Sequence, residues 1–172
     1  MTEIGQFNSR QIFYINVRTG INWFDKVPSS NWLAFTIADI ADKELLYDMI
    51  VKCLDKNVLY TCSTGQLASD TEDCFDGEIV WRQVQAEEQT CKPQDYENSP
   101  MTSSHRNFSE GFWFAIQSAY AIAYDEYILI DKVCIDMTQG GVKQYLCELL
   151  QKIQNGWLPS HNEIEDPKYD NK

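Results

Sequence analysis

The alternation of apolar and polar positions divides the chain into short elements. Gln11 to Val17, β-branched and aromatic, predicts a strand. Thr19-Gly20 and Pro28-Ser29-Ser30 punctuate the loop that follows. Trp32 to Ala38 is apolar almost without interruption, which suits a central strand covered on both faces. Asp42 fits the N-cap of a helix opening at Lys43. On that helix Leu45, Leu46, Met49, Ile50, Cys53 and Leu54 recur at helical spacing and define one buried stripe. Asn57 ends the helix, Val58 to Ser63 reads as a further strand, and Gly65 breaks it. Strand, helix and strand in this order make a βαβ unit.

Between Gln66 and Pro100 the periodicity fades. Ile79 to Val84 predicts a short edge strand, and Thr90 to Pro100 an exposed loop. Periodicity returns at Ser109, read as the N-cap of a helix from Glu110 to about Tyr124. Phe112, Trp113, Phe114, Ile116, Ala119, Tyr120 and Ala123 make it apolar nearly all round, the mark of a buried helix. Tyr127 to Met137 reads as one strand, or as two parted at Asp131-Lys132. Gly140-Gly141 leads into a last helix with Val142, Tyr145, Leu146, Leu149, Leu150 and Ile153 on one stripe, stopped by Asn155-Gly156. The expected fold is α/β: a single domain over residues 1–158 with an open, mainly parallel sheet of about five strands and helices on both faces. An acidic insertion at 66–100, the C-terminal helix and a polar tail at 159–172 complete it.

Composition narrows the function classes. The 172 residues are 44% hydrophobic and 13% aromatic, enough for a real core. The formal charge is −12, and no Lys/Arg cluster offers the basic face that nucleic acid requires. The same charge repels anionic lipid. No apolar run approaches the roughly 18 residues of a bilayer span. Met1 to Gln6 has neither a basic start nor an apolar signal core, so neither secretion nor membrane insertion is expected. Of six cysteines, Cys53, Cys134 and Cys147 fall inside apolar periodic segments, where a free thiol acts as a small hydrophobe. With no CxxC and only His105 and His161, no zinc pattern can be assembled. A reduced, cytoplasmic protein is expected. The five tryptophans read mostly as core, with Trp23 and Trp157 as candidate exposed anchors.

Residues 66–100 hold nine acidic residues against Arg82 and Lys92, a net −7. Asp70, Glu72, Asp73, Asp76 and Glu78 cluster just after a predicted inner strand, on the side where open α/β sheets place ligands. Such density suits a basic protein partner. It also suits a divalent cation, with Asp73 and Asp76 as candidate ligands. The EF-hand spacing fails, since positions 3 and 12 counted from Glu72 are Cys74 and Gln83. Otherwise no cofactor is expected. A second constellation sets His105 and Arg106 just ahead of a helix opening with Glu110, where an anion is favoured and His105 would serve as a general base. Cys62, at a strand end, is a candidate nucleophile if His105 approaches it. Thr138-Gln139-Gly140-Gly141 lacks the lysine and hydroxyl of a phosphate loop and reads as a tight turn.

Val58 to Gly65, then Glu72-Asp73 and Asp76, then Thr102-x-x-His105 and Glu110-Gly111-Phe112-Trp113-Phe114-Ala115 resemble a small family of uncharacterised bacterial α/β domains. Its members carry L-Y-x-x-x-W-G, D-D-x-x-D and T-x-W-H…E-x-F-W-F-A segments. The resemblance spans roughly residues 32–137, and this chain lacks the tryptophans before Gly65 and before His105. It implies the fold and no catalytic role, and it marks the acidic segment and His105 for attention. With no complete catalytic signature, the expectation leans away from an enzyme and toward binding a basic protein, of the antidote, immunity or anti-defence kind by analogy. The alternatives are a metal-assisted hydrolase using the acidic loop, His105 and Arg106, and a small-molecule or nucleotide sensor using the sheet's carboxyl edge.

Overall fold

The structure, a computed structural model, describes residues 1–20, 22–39, 42–91, 99–117 and 130–159. Among the described residues, six strands form one sheet in the order β1-β2-β6-β3-β4-β5. β1 (Thr2–Phe7) and β2 (Arg10–Asn16) are an antiparallel hairpin. Its two-residue turn, Asn8-Ser9, has both φ angles positive, the geometry that matches the twist of paired strands. β2, β6 (Asp131–Asp136), β3 (Trp32–Ile37), β4 (Tyr60–Thr64) and β5 (Met101–His105) run parallel. The expected open, mainly parallel α/β architecture is borne out, with β1 as an additional strand.

Helices cover both faces. α1 (Lys43–Asp55) and α2 (Ala68–Thr90) lie on one side, where Met49, Ile50, Cys53 and Phe75 pack with Trp32, Ala34, Val133 and Ile135. α3 (Phe108–Gln117) and α4 (Val142–Gln154) lie on the other, where Phe108, Phe112, Leu146 and Leu149 meet Leu33, Phe35, Ile37, Cys62 and Cys134. Every residue of β3 is therefore buried, as its uninterrupted apolar run requires. Asp42 caps α1, its carboxylate accepting from the Leu45 N–H at 3.1 Å.

Several local readings are corrected. Ile79 to Val84 is not a strand but the middle of α2, the crossover between β4 and β5. Ala68, Thr71 and Phe75 give α2 only a narrow buried stripe, too thin to register as helical periodicity. Thr90 ends α2 and Cys91 caps it in the left-handed region; residues 92–98 lie outside the described residues. Thr102 to His105, which the pattern assigns to no element, pair with β4. The N-cap of α3 is supplied by Asn107, whose Oδ1 accepts from the Glu110 N–H at 2.9 Å; Ser109 lies within the first turn and its Oγ meets the Tyr145 hydroxyl at 2.9 Å. Residues 118–129, covering the rest of that expected helix and Tyr127 to Leu129, lie outside the described residues. Trp23 is buried among Met49 and its neighbours, whereas Trp81 is 56% exposed, the reverse of the expectation.

Candidate functional site

Helical geometry sends the acids of α2 in three directions, because successive residues turn by about 100°. Glu72 and Asp76, one turn apart, face β5: Ser104 Oγ donates to Glu72, and Thr102 Oγ1 donates to Asp76 Oδ1 at 2.7 Å. Glu78 faces α1, accepting from the Tyr47 hydroxyl at 3.1 Å and from Arg82 Nε at 2.8 Å. Arg82 also pairs with Asp55 at 2.9 Å, clipping α2 to α1. Asp70 and Asp73 point elsewhere and have no hydrogen-bond or ion-pair partner among the described residues.

Asp70 and Asp73 line a cleft of about 500 Å³ between α2 and the first turns of α1. Leu46, Tyr47 and Leu67 supply apolar wall, with Cys74, Asp42 and Lys43 completing the lining. Leu46 is buried and Tyr47 is 57% exposed. Further along α2, Val80, Trp81 and Val84 form an exposed apolar ridge. The acidic segment thus has a structural half tied to β5 and α1, and an outward half where carboxylates unpartnered among the described residues adjoin apolar surface.

The second constellation is divided by the alternation of β5. Thr102 and Ser104 project toward α2, while Ser103 and His105 project toward the opposite face. The His105 ring packs on Phe114 with centroids 4.7 Å apart and lies against Gly111, where an added Cβ would come within 2.9 Å of the His105 Cβ. Burial pushes the His105 pKa down, with Glu110 and Glu72 partly opposing it. His105 Nε2 is buried without a hydrogen-bond partner among the described residues. Arg106 and Glu110 are exposed. Cys62 is fully buried, and burial pushes its thiol up to about 12, so the thiolate a nucleophile needs is suppressed. His105 and Asp76 thus project from opposite sides of the sheet and do not converge. Among the described residues no group of three or more metal-ligating side chains comes together.

The carboxyl edge of the sheet holds a cluster that the sequence reading passed over. β3 leads through α1 to β4 on one side, while β6 lies on its other side, so the strand order reverses between β3 and β6. There Asp136, fully buried, accepts from the Tyr14 hydroxyl at 2.5 Å, Asn16 Nδ2 at 3.0 Å and the Thr138 N–H at 2.7 Å. Burial, together with that carboxylate, pushes the Tyr14 hydroxyl well above its usual pKa. Asp39, at the end of β3, is pushed up by burial, and its Oδ1 accepts from the Gln66 N–H at 3.0 Å. Gly65 holds φ +96° there, and a Cβ would meet Asp39 Oδ1 at 2.3 Å and Ala38 O at 2.6 Å, so only glycine fits. Three donors satisfy Asp136, which makes it a clamp between β2 and β6. The available signal was the polar residue that ends two neighbouring strands, Asn16 on β2 and Asp136 on β6.

No curated protein and no solved structure matches the chain. The resemblance carried by the sequence motifs is borne out at the level of family: a model described as a domain of unknown function (DUF7684) matches residues 12–153, and the chain belongs to that family.

Proposed function

We propose that this protein acts by binding a basic protein partner, with the outward face of α2 as the docking surface. The observation that carries this reading is Trp81, 56% exposed beside Val80 and Val84 on a 23-residue helix whose Asp70 and Asp73 are unpaired among the described residues. A tryptophan left in water forgoes a large burial gain, and tryptophan is over-represented among the few residues that dominate interface energetics. The carboxylates around the ridge and the net charge of −12 steer a basic surface into register, contributing to encounter rate and specificity more than to raw affinity. All six cysteines are free, which supports a reducing compartment such as the cytoplasm. No helix among the described residues is long and apolar enough to cross a membrane.

Metal-assisted hydrolysis draws less support, because Thr102 holds Asp76 on the sheet face opposite His105. The test of the docking reading is affinity capture from native lysate by wild type and Trp81→Ala in parallel, at low and high salt. The expected result is a basic protein retained by wild type at low salt, released at high salt, and lost in the variant. Equal retention by the variant, whose far-UV circular dichroism matches wild type, refutes this docking surface.

A further inference from the structure

We propose that the cleft between α1 and α2 receives an arginine side chain of the basic partner, together with an apolar residue beside it. This deepens, and rests on, the docking reading above. The cleft, at about 500 Å³, has the size of a ligand pocket, commonly about 300–1,000 Å³, and exceeds what one side chain fills. Its lining combines apolar wall from Leu46, Tyr47 and Leu67 with the carboxylates of Asp70 and Asp73. An arginine matches that combination, since its aliphatic stem covers apolar surface while the head stays charged.

The charge inventory identifies which carboxylates act. Asp42 also lines the cleft, but its oxygens already accept from the Leu45 N–H and pair with Arg18 at 3.3 Å. Lys43 lines it too, so three carboxylates face one ammonium and a net negative charge remains. Asp70 and Asp73, three residues apart on one helix face, are without partners among the described residues. A planar guanidinium spans two acceptors and stacks on an exposed aromatic ring, whereas an ammonium is a point charge. The Tyr47 ring supplies that surface, held by its hydroxyl's bond to Glu78. The cleft and the apolar ridge share one face of α2: Cys74 in the cleft lining, then Gly77 and Trp81, follow at helical spacing on the exposed side. A second copy of this chain would bring a further −12 against these carboxylates, so a basic partner fits and self-association does not.

The experiment titrates the full-length ¹⁵N-labelled protein with acetyl-Leu-Arg-Leu-amide, with lysine or uncharged citrulline replacing the arginine as controls. Saturating amide shifts are expected at Tyr47 and across Leu67 to Cys74. Binding should fall at least tenfold with citrulline and several-fold with lysine. The paired variant Asp70→Asn/Asp73→Asn should show the same tenfold loss, and Cys74→Phe, which fills the cleft from an exposed position, should abolish the shifts. An absence of saturating shifts, or equal binding of the citrulline peptide, overturns the proposal. Capture of a partner that depends on Trp81 but is indifferent to both cleft variants overturns it while leaving the docking reading intact. Saturable, arginine-selective peptide binding with capture indifferent to Trp81→Ala overturns the docking reading and leaves the cleft as an arginine site.

Discussion

Thr102 on β5 donates a hydrogen bond to Asp76 on α2 at 2.7 Å, and this contact separates the structural acids of α2 from the outward ones. Asp73, one turn earlier, has no such partner among the described residues. Asp76→Ala should therefore destabilise the fold by about 0.5–1.5 kcal/mol, the ordinary worth of a hydrogen bond. Asp73→Ala should stay within about 0.5 kcal/mol, as surface substitutions do. Urea denaturation of both variants, with Thr102→Val closing a double-mutant cycle on Asp76, measures the difference. A coupling energy of zero between Thr102 and Asp76 would show that the bond contributes nothing in solution.

Two aromatic residues of the same helix should respond in opposite ways. Phe75 is fully buried against the α1 side of the core, and Phe75→Ala should cost about 3–5 kcal/mol through lost burial and the cavity left behind. Trp81→Ala removes a side chain that is 56% exposed and should change stability by about 0.5 kcal/mol or less. The comparison is a pair of thermal melts, and a large loss of stability in Trp81→Ala would mean that Trp81 serves the fold rather than a partner.

The contrast between these residues also explains what the sequence could convey. β3 and α1 were legible because apolar residues dominate both, one continuously and one with a clean stripe. α2 was not, because three buried residues, Ala68, Thr71 and Phe75, anchor a helix of 23, and the local run Ile79-Val80-Trp81 mimics a strand. β1 escaped because its Thr2–Phe7 segment is mostly polar and owes its strand state to pairing with β2 rather than to its own pattern. The carboxylates of the acidic cluster were visible as a group, but their division among β5, α1 and the cleft depends on helix phase. The clamp at Asp136 was invisible for another reason: Tyr14 and Asp136 lie 122 positions apart and meet only through the parallel pairing of β2 with β6.

Asp39 offers a test of the carboxyl edge through stability. Burial pushes its carboxyl above the usual 3.8, so the folded state holds its proton to higher pH than the unfolded chain does. Stability from this group is then present below the unfolded pKa and lost as pH rises through the folded one. Asp39→Asn keeps an oxygen for the Gln66 N–H and removes the ionisation. The variant should therefore melt higher than wild type at pH 7, with the gap closing as pH falls toward 3.8. A variant less stable than wild type at pH 7 would mean that the ionised carboxylate is stabilised by a neighbour.

His105 should impose the opposite slope in a higher pH range. Its imidazole is driven below the ordinary 6.5 by burial against Phe114 and Gly111, with Glu110 and Glu72 too weak to reverse the shift. As pH falls below about 6.5 the unfolded chain takes up a proton that the folded state resists, so stability is lost. Above that range the contribution is fully present. The slope belongs to His105 only if it disappears with the imidazole, so the informative quantity is the change in urea midpoint between pH 7.5 and 5.5 in wild type and in His105→Gln. Wild type should lose more than the variant, whatever the variant's absolute stability, and the titration of Asp39 is common to both and cancels. Equal losses would place the imidazole in contact with water or with a carboxylate strong enough to hold its charge, and either would reopen His105 as a proton carrier at the end of β5.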